Sequence, residues 1–219
     1  MKYIIGGGKK LSGKVGISGN KNSTFPCLAA ALLTDEEVVV ENIPQISDIE
    51  VYKKILEDLG VEVNHQGNAI RLRAKEINSH LDQQLMTKLR GSIVLVGVLL
   101  ARLKEAQFYF PGGDIIGKRD IDVHLEGFEA LGGKVTQEDE KLTIKMTSEE
   151  EQNYKFLFFK NTVTGTENLI LASVLKKGTV TLKNCAKEPH VVDLCRMLIS
   201  MGAQIDGVGT DQLKIAGVN

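Results

Sequence analysis

Hydrophobic and polar positions fall into one pattern that occurs three times after residue 20. Each copy has an apolar run of helical length, a short β-rich run, a loop, an amphipathic stretch ending in Leu-Gly or Met-Gly, and two short strand-like segments. In the first copy the pattern predicts a helix over 25–33, a strand over 37–41, a second helix over 48–59, and a hairpin of 61–63 with 69–72 around Gly67 and Asn68. The second copy predicts a helix over 85–102, a strand over 107–110, a helix over 122–131 and a hairpin of 134–135 with 142–144. The third predicts a helix over 166–175, a strand over 179–183, a helix over 190–201, and pairing of 204–205 with 213–215. The copies span about 21–75, 83–147 and 160–217. Residues 148–152 read as a solvated linker, and the apolar pieces between glycines in 1–20 as one or two strands.

The two helices of each copy differ in kind. The second has one apolar stripe and one polar face, so it covers the outside of a domain. The first is apolar nearly all round and must be buried. The glycines that end the outer helices, Gly60, Gly132 and Gly202, are spaced by 132 − 60 = 72 and 202 − 132 = 70 residues. Glycine there is the residue that a left-handed helix cap selects. Repeats of this length exceed a solenoid unit. Three such copies closing on one core make an α/β (α+β) domain with pseudo-threefold symmetry.

Composition narrows the partners. Hydrophobic residues make up 42% of the 219, enough for a substantial core, and the net charge is −1. That balance removes the case for nucleic acid recruited by bulk charge. The longest apolar run, 93–101, is too short to cross a bilayer. Cys27, Cys185 and Cys195 lack metal-ligand spacing, and an odd count without a signal peptide points to reduced thiols in the cytoplasm. The thiols read as buried small apolar groups. Gly6 to Lys10 lacks the Gly-Lys-Ser/Thr ending of a phosphate loop and reads as a turn.

The candidate chemistry lies in three places. Residues 110–122 carry Gly112, Gly113 and Gly117 among Asp114, Lys118, Arg119, Asp120 and Asp122. A loop that can move, with a candidate acid and cations for a phosphate, reads as a catalytic lid; the alternative is a solvated surface loop. The first and third buried helices open on Gly19-Asn20-Lys21-Asn22-Ser23 and on 162–168, polar stretches suited to an anion at a helix N-terminus. The plainer alternative is that Asn22 and Ser23 cap a helix. Arg90 precedes the most apolar run on a helix read as buried, so its guanidinium needs a carboxylate partner or a substrate anion. His124 reads as a core or capping histidine, and His65 and His80 as exposed.

These motifs occur together and in order: 19–22, Leu89-Arg90-Gly91-Ser92, Pro111-Gly112-Gly113, 116–124, Thr166-Glu167-Asn168, 188–193 and 207–211. With them the whole chain resembles the UDP-N-acetylglucosamine enolpyruvyl transferase family. It is set apart from the sister shikimate enzymes by the lid and the Lys21-Asn22 pair. The resemblance implies a pseudo-threefold inside-out α/β barrel domain of βαβαββ-like units. It implies transfer of enolpyruvate from phosphoenolpyruvate to the sugar 3′-hydroxyl, through a tetrahedral intermediate, in the first committed step of peptidoglycan synthesis. It implies Lys21 and Asn22 at phosphoenolpyruvate and Arg90 at the substrates. It sets Arg119, Asp120, Ile121, Asp122 and Val123 at the uridine end, with Lys160, Asn161, Thr162 and Val163 flanking the nucleotide. No metal or organic cofactor is implied.

Two departures from the family pattern matter. The lid position that is usually cysteine is Asp114, as in some members. A carboxyl with a free pKa of about 3.9 must be raised to serve as an acid at neutral pH. Burial on lid closure raises it, Lys118 and Arg119 oppose that, and desolvation is expected to win. Second, the family has six repeats in two domains facing across a cleft, and this chain has three. It resembles the front half, with residues 1–20 expected to pack on the second domain and the family's carboxylate base absent. Such a half is expected to turn over little or nothing. The competing reading is a non-catalytic domain that binds a UDP-sugar or a protein.

Overall fold

Three helices that cannot face water organise the architecture. The computed structural model describes residues 2–113, 120–147 and 152–218. In the first unit α1 (Lys21–Ala30) runs into a 3-10 turn at Ala31–Leu33, then β1 (Glu37–Val40), α2 (Ser47–Asp58), β2 (Glu62–Gln66) and β3 (Ala69–Arg73). The second unit has α3 (Gln83–Met86), a 3-10 turn at Arg90–Val94, α4 (Leu95–Leu103), β4 (Glu105–Tyr109), α5 (Asp122–Ala130), β5 (Gly133–Glu138) and β6 (Lys141–Met146). The third has β7 (Gln152–Leu157), α6 (Val163–Ser173), β8 (Gly178–Lys183), α7 (Pro189–Ser200), β9 (Gln204–Asp206) and β10 (Gln212–Ala216).

The three sheets are ordered β1-β3-β2, β4-β6-β5 and β7-β8-β10-β9. In each, the second hairpin strand lies in the middle, antiparallel to both neighbours. Strand β7 was not foreseen. It adds to the third sheet parallel to β8, with Tyr154 opposite Val180, and begins at Gln152, inside the stretch read as linker. The second unit has a one-residue counterpart, a parallel bridge of His80 to Gln107 beside β4.

Burial follows the helix types. Leu28 and Leu32, Leu95 to Leu99, and Leu169 to Leu171 are sealed from solvent. The outer helices bury one face only, Ile49, Tyr52, Ile55 and Leu56 on α2 and Val191, Leu194, Cys195 and Leu198 on α7. Gly60, Gly132 and Gly202 end these helices with φ of 95°, 88° and 106°, the left-handed region that L side chains avoid. All three thiols are buried and unpaired. His80 is exposed, but His65 is half-buried, because Glu50 and Lys53 of α2 fold over its Nδ1.

Two expectations are corrected. Residues 2–20 carry no strand and run exposed, with Ile4, Ile5, Leu11, Val15 and Ile17 in solvent. Alternating apolar residues need a sheet edge to become a strand, and none of the three sheets pairs with this stretch. The helix expected over 85–102 is also broken. A short α3, an extended Leu89 and a 3-10 turn precede α4. The 3-10 turn passes into α4 where Asn168 of α6 inserts its amide. Its Oδ1 accepts from the Gly97 N–H at 2.7 Å, and its Nδ2 donates to the Ile93 carbonyl at 2.8 Å. Those two backbone groups are the i and i+4 pair that an uninterrupted α-helix would join. Gly97 is required there, since a Cβ would stand 2.3 Å from the Asn168 carbonyl.

Candidate functional site

The sequence brings three helix beginnings to one place. Asn20 is extended at φ −95° and ψ 129°, and its Oδ1 accepts from the N–H groups of Asn22 and Ser23 at 2.8 and 3.1 Å. The cap is therefore Asn20, not Asn22 or Ser23, and the side chains of the next turn stay available. Thr162 caps α6 in the same way, accepting from the Gly165 N–H at 3.3 Å. Ser23 Oγ donates to Asp193 of α7 at 2.8 Å, which fixes the start of α1 against the third unit.

Between these ends lies a cleft of about 600 Å³, lined by Lys21, Asn22, Arg90, Glu167 and His190 among others. Lys21 Nζ pairs with Asp48 of α2 at 2.8 Å, both partly exposed, so the cation is held at the rim. Arg90 begins the 3-10 turn and is half-buried, not buried as expected; its Nη2 donates to the Asp120 carbonyl at 3.3 Å. An adjoining cavity of about 380 Å³ is lined by Arg90, Asp120, Asp122, Val123, Lys160 and Thr162, with Asn161 on the same wall. Arg90 is thus common to both spaces.

Some expected residues stand elsewhere. Ile121 is buried and lines neither cavity, and Val163 lines the first. Asn161 spends its amide on the carbonyls of Asn184 and Cys185, at 3.3 and 3.0 Å. Asp114 and Arg119 lie outside the described residues. Among the described residues no group of three or more His, Cys, Asp or Glu is placed to hold a metal, and no helix is long and apolar enough to cross a membrane.

His124 is a core histidine held in one tautomer. Its Nδ1 accepts from Asn168 Nδ2 at 2.9 Å, which leaves the proton on Nε2, facing Thr164 Oγ1 at 3.3 Å. Burial, and then the nearby charge of Arg90, push its pKa down to about 3. It is neutral at any working pH.

The sequence places Glu167 in the polar opening 162–168 and gives it no individual role. This carboxyl is 2% exposed, and its Oε1 has no hydrogen-bond partner. Burial, and then the neighbouring Glu188, push its pKa up to about 8. A signal was present: a glutamate five residues after a capping threonine, immediately before the apolar run 169–172 of a helix read as buried.

A fold-level likeness reinforces this geometry. The structure superposes on the enolpyruvyl transferase NikO of Streptomyces tendae with a TM-score of 0.81, at 23% identity, over 97% of this chain and 50% of that one. It superposes on an EPSP synthase of Acinetobacter baumannii with a TM-score of 0.70, at 14% identity, over 94% and 47%. The family model for EPSP synthase (3-phosphoshikimate 1-carboxyvinyltransferase) matches residues 5–219. The chain belongs to the EPSP synthase family. Within it, curated relatives named UDP-N-acetylglucosamine 1-carboxyvinyltransferase are 43% identical over 99% of this chain in Borrelia garinii and 42% over 99% in Koribacter versatilis. The chain spans about half the length of these relatives, 50% and 51%.

Proposed function

We propose that this chain forms one wall of the active site of a UDP-N-acetylglucosamine 1-carboxyvinyltransferase. A second domain of the same fold closes the other side, with residues 2–20 packed on it. The reading rests on the convergence of Lys21, Asn22 and Arg90 at two helix N-termini, in a chain 43% identical to a relative of that name. Lys21 and Asn22 hold phosphoenolpyruvate, Lys21 exchanging Asp48 for phosphate. Asp120, Asp122, Val123 and Lys160 to Thr162, with Arg119, Ile121 and Val163, bind the nucleotide. Arg90, common to both cavities, meets both substrates. The sugar 3′-hydroxyl adds to C2 of phosphoenolpyruvate and loses its proton, while Asp114 donates a proton to C3. The tetrahedral intermediate then loses a proton from C3 and expels inorganic phosphate. The reaction needs no metal or organic cofactor. It feeds peptidoglycan, and so wall growth, cell shape and division, from the cytoplasm.

The test mixes the chain with a complementary second half and measures phosphate release from phosphoenolpyruvate. Release with UDP-N-acetylglucosamine, and none with shikimate 3-phosphate, supports the assignment. Absence of release while the nucleotide still binds refutes it in favour of a binding module.

A further inference from the structure

Glu167 is the group in the first cleft that neither the fold nor the proposed reaction accounts for. It does not cap α6, because Thr162 does. Among the described residues it forms no ion pair, and Oε1 meets no donor although it is enclosed. A buried acceptor with no donor is destabilising, so the enclosed Oε1 needs a partner that the chain itself does not supply. Around it stand Cys27 of α1, Tyr52 of α2 and Cys195 of α7, none of which supplies a cation. Glu188, at the start of α7, presents a second enclosed and unpartnered oxygen, Oε2. Asp193 lies further along α7 and is occupied by Ser23. Lys21, Lys88, Arg90 and His190, the basic groups of the cleft, share its lining with Glu167 and Asp48. Basic groups gathered in this way attract an anion, and an ionised carboxylate in the same wall would repel it. Wall and ligand are compatible when the carboxyl carries a proton and donates it in a hydrogen bond.

We infer that Glu167 is a direct ligand contact in this cleft, its enclosed carboxyl donating a hydrogen bond as a neutral acid to an anionic oxygen of the molecule held by Lys21 and Arg90. This rests on the enolpyruvyl transfer reading for the identity of the ligand and adds to it a contact of opposite character. Geometry supplies the argument, and the pKa of about 8 agrees with it: the carboxyl is neutral at pH 7 and mostly ionised at pH 9. Cys27 and Cys195, each pushed up to about 12 by burial first of all, stay neutral across that range.

The experiment is calorimetric titration of the chain with phosphoenolpyruvate and with UDP-N-acetylglucosamine at pH 7 and pH 9, each in two buffers of different ionisation enthalpy. For the ligand that occupies the cleft, affinity is expected to fall about tenfold from pH 7 to pH 9, with uptake of close to one proton on binding at pH 9. Glu167→Gln keeps a neutral donor of the same shape. It is expected to bind within about threefold of the parent at pH 7 and to lose both the fall and the proton uptake. Glu167→Ala is expected to bind about tenfold or more weakly at pH 7. Equal affinity of Glu167→Ala and the parent, or a proton uptake that persists in Glu167→Gln, overturns the contact while leaving the reaction standing. No binding of either substrate by the parent at either pH overturns both.

Discussion

Replacing Asn168 with alanine tests how the second and third units are joined. Its amide serves three buried groups: the Gly97 N–H at 2.7 Å, the Ile93 carbonyl at 2.8 Å and His124 Nδ1 at 2.9 Å. Asn168 and Ile93 are fully enclosed and His124 is 3% exposed, so water cannot replace the lost partner. Each orphaned group costs about 1–3 kcal/mol. If all three stay unsatisfied the loss is roughly 3–9 kcal/mol. If α4 relaxes so that Gly97 N–H closes directly on the Ile93 carbonyl, only His124 is orphaned, and the floor is about 1–3 kcal/mol plus the cavity left by the amide. Asn168→Ala is therefore expected to lose about 3–6 kcal/mol, a large part of an ordinary domain's stability. Urea unfolding checks this, with the midpoint falling and the slope unchanged. A loss under about 1 kcal/mol refutes the claim that this amide clasps the start of α4. The same substitution also frees the turn that begins with Arg90, so substrate affinity is expected to fall in the variant that remains folded.

Substitutions at three further residues probe independent parts. Arg102 donates to the carbonyls of Leu32, Thr34, Ala74 and Lys75, tying α4 to both ends of the first unit. Arg102→Met is expected to cost roughly 2–4 kcal/mol in urea unfolding, with Arg102→Lys recovering only part of it, because an ammonium cannot fan out to four acceptors. Glu167 has a raised pKa, from 4.5 to about 8, so between those values the folded state keeps a proton that the unfolded state has shed. Stability accordingly falls as pH rises through this window, by roughly 5 kcal/mol in all, and levels off above it. Glu167→Gln should abolish that part of the slope, and unchanged unfolding curves at pH 5 and pH 9 would contradict the assignment. In the assembled enzyme Asp114→Asn should remove turnover at every pH, since an amide cannot deliver the proton. Fosfomycin, which alkylates the lid cysteine usual among UDP-N-acetylglucosamine enolpyruvyl transferases, should leave an assembled enzyme with Asp114 active, and time-dependent inactivation would show that another nucleophile is in play.

What could be read from the sequence, and what could not, divides along physical lines. The helices α1, α4 and α6 were legible because an apolar surface all round a helix leaves no choice but burial. The outer helices were legible from their stripe and their terminal glycines. Lys21 and Arg90 stood out because a cation next to a buried helix needs a reason. By contrast, the passage from the 3-10 turn into α4 is bridged by Asn168, 71 residues beyond Gly97. No local window around Arg90 contains that amide. Strand β7 depends on a parallel edge offered by β8, and its first residue follows a run of glutamates that reads as solvated. His65 alternates like an exposed strand residue, and the Glu50–Lys53 pair that covers it belongs to another element. Glu167 was hidden for a related reason. A polar residue in a buried helix has the same appearance whether it is bonded in the core or left waiting for a ligand. Only the absence of a donor around Oε1, a fact about neighbours on α1, α2 and α7, separates the two. At Asn168 and Glu167 one unit completes another, and in a domain assembled from three copies the cleft lies where the copies meet.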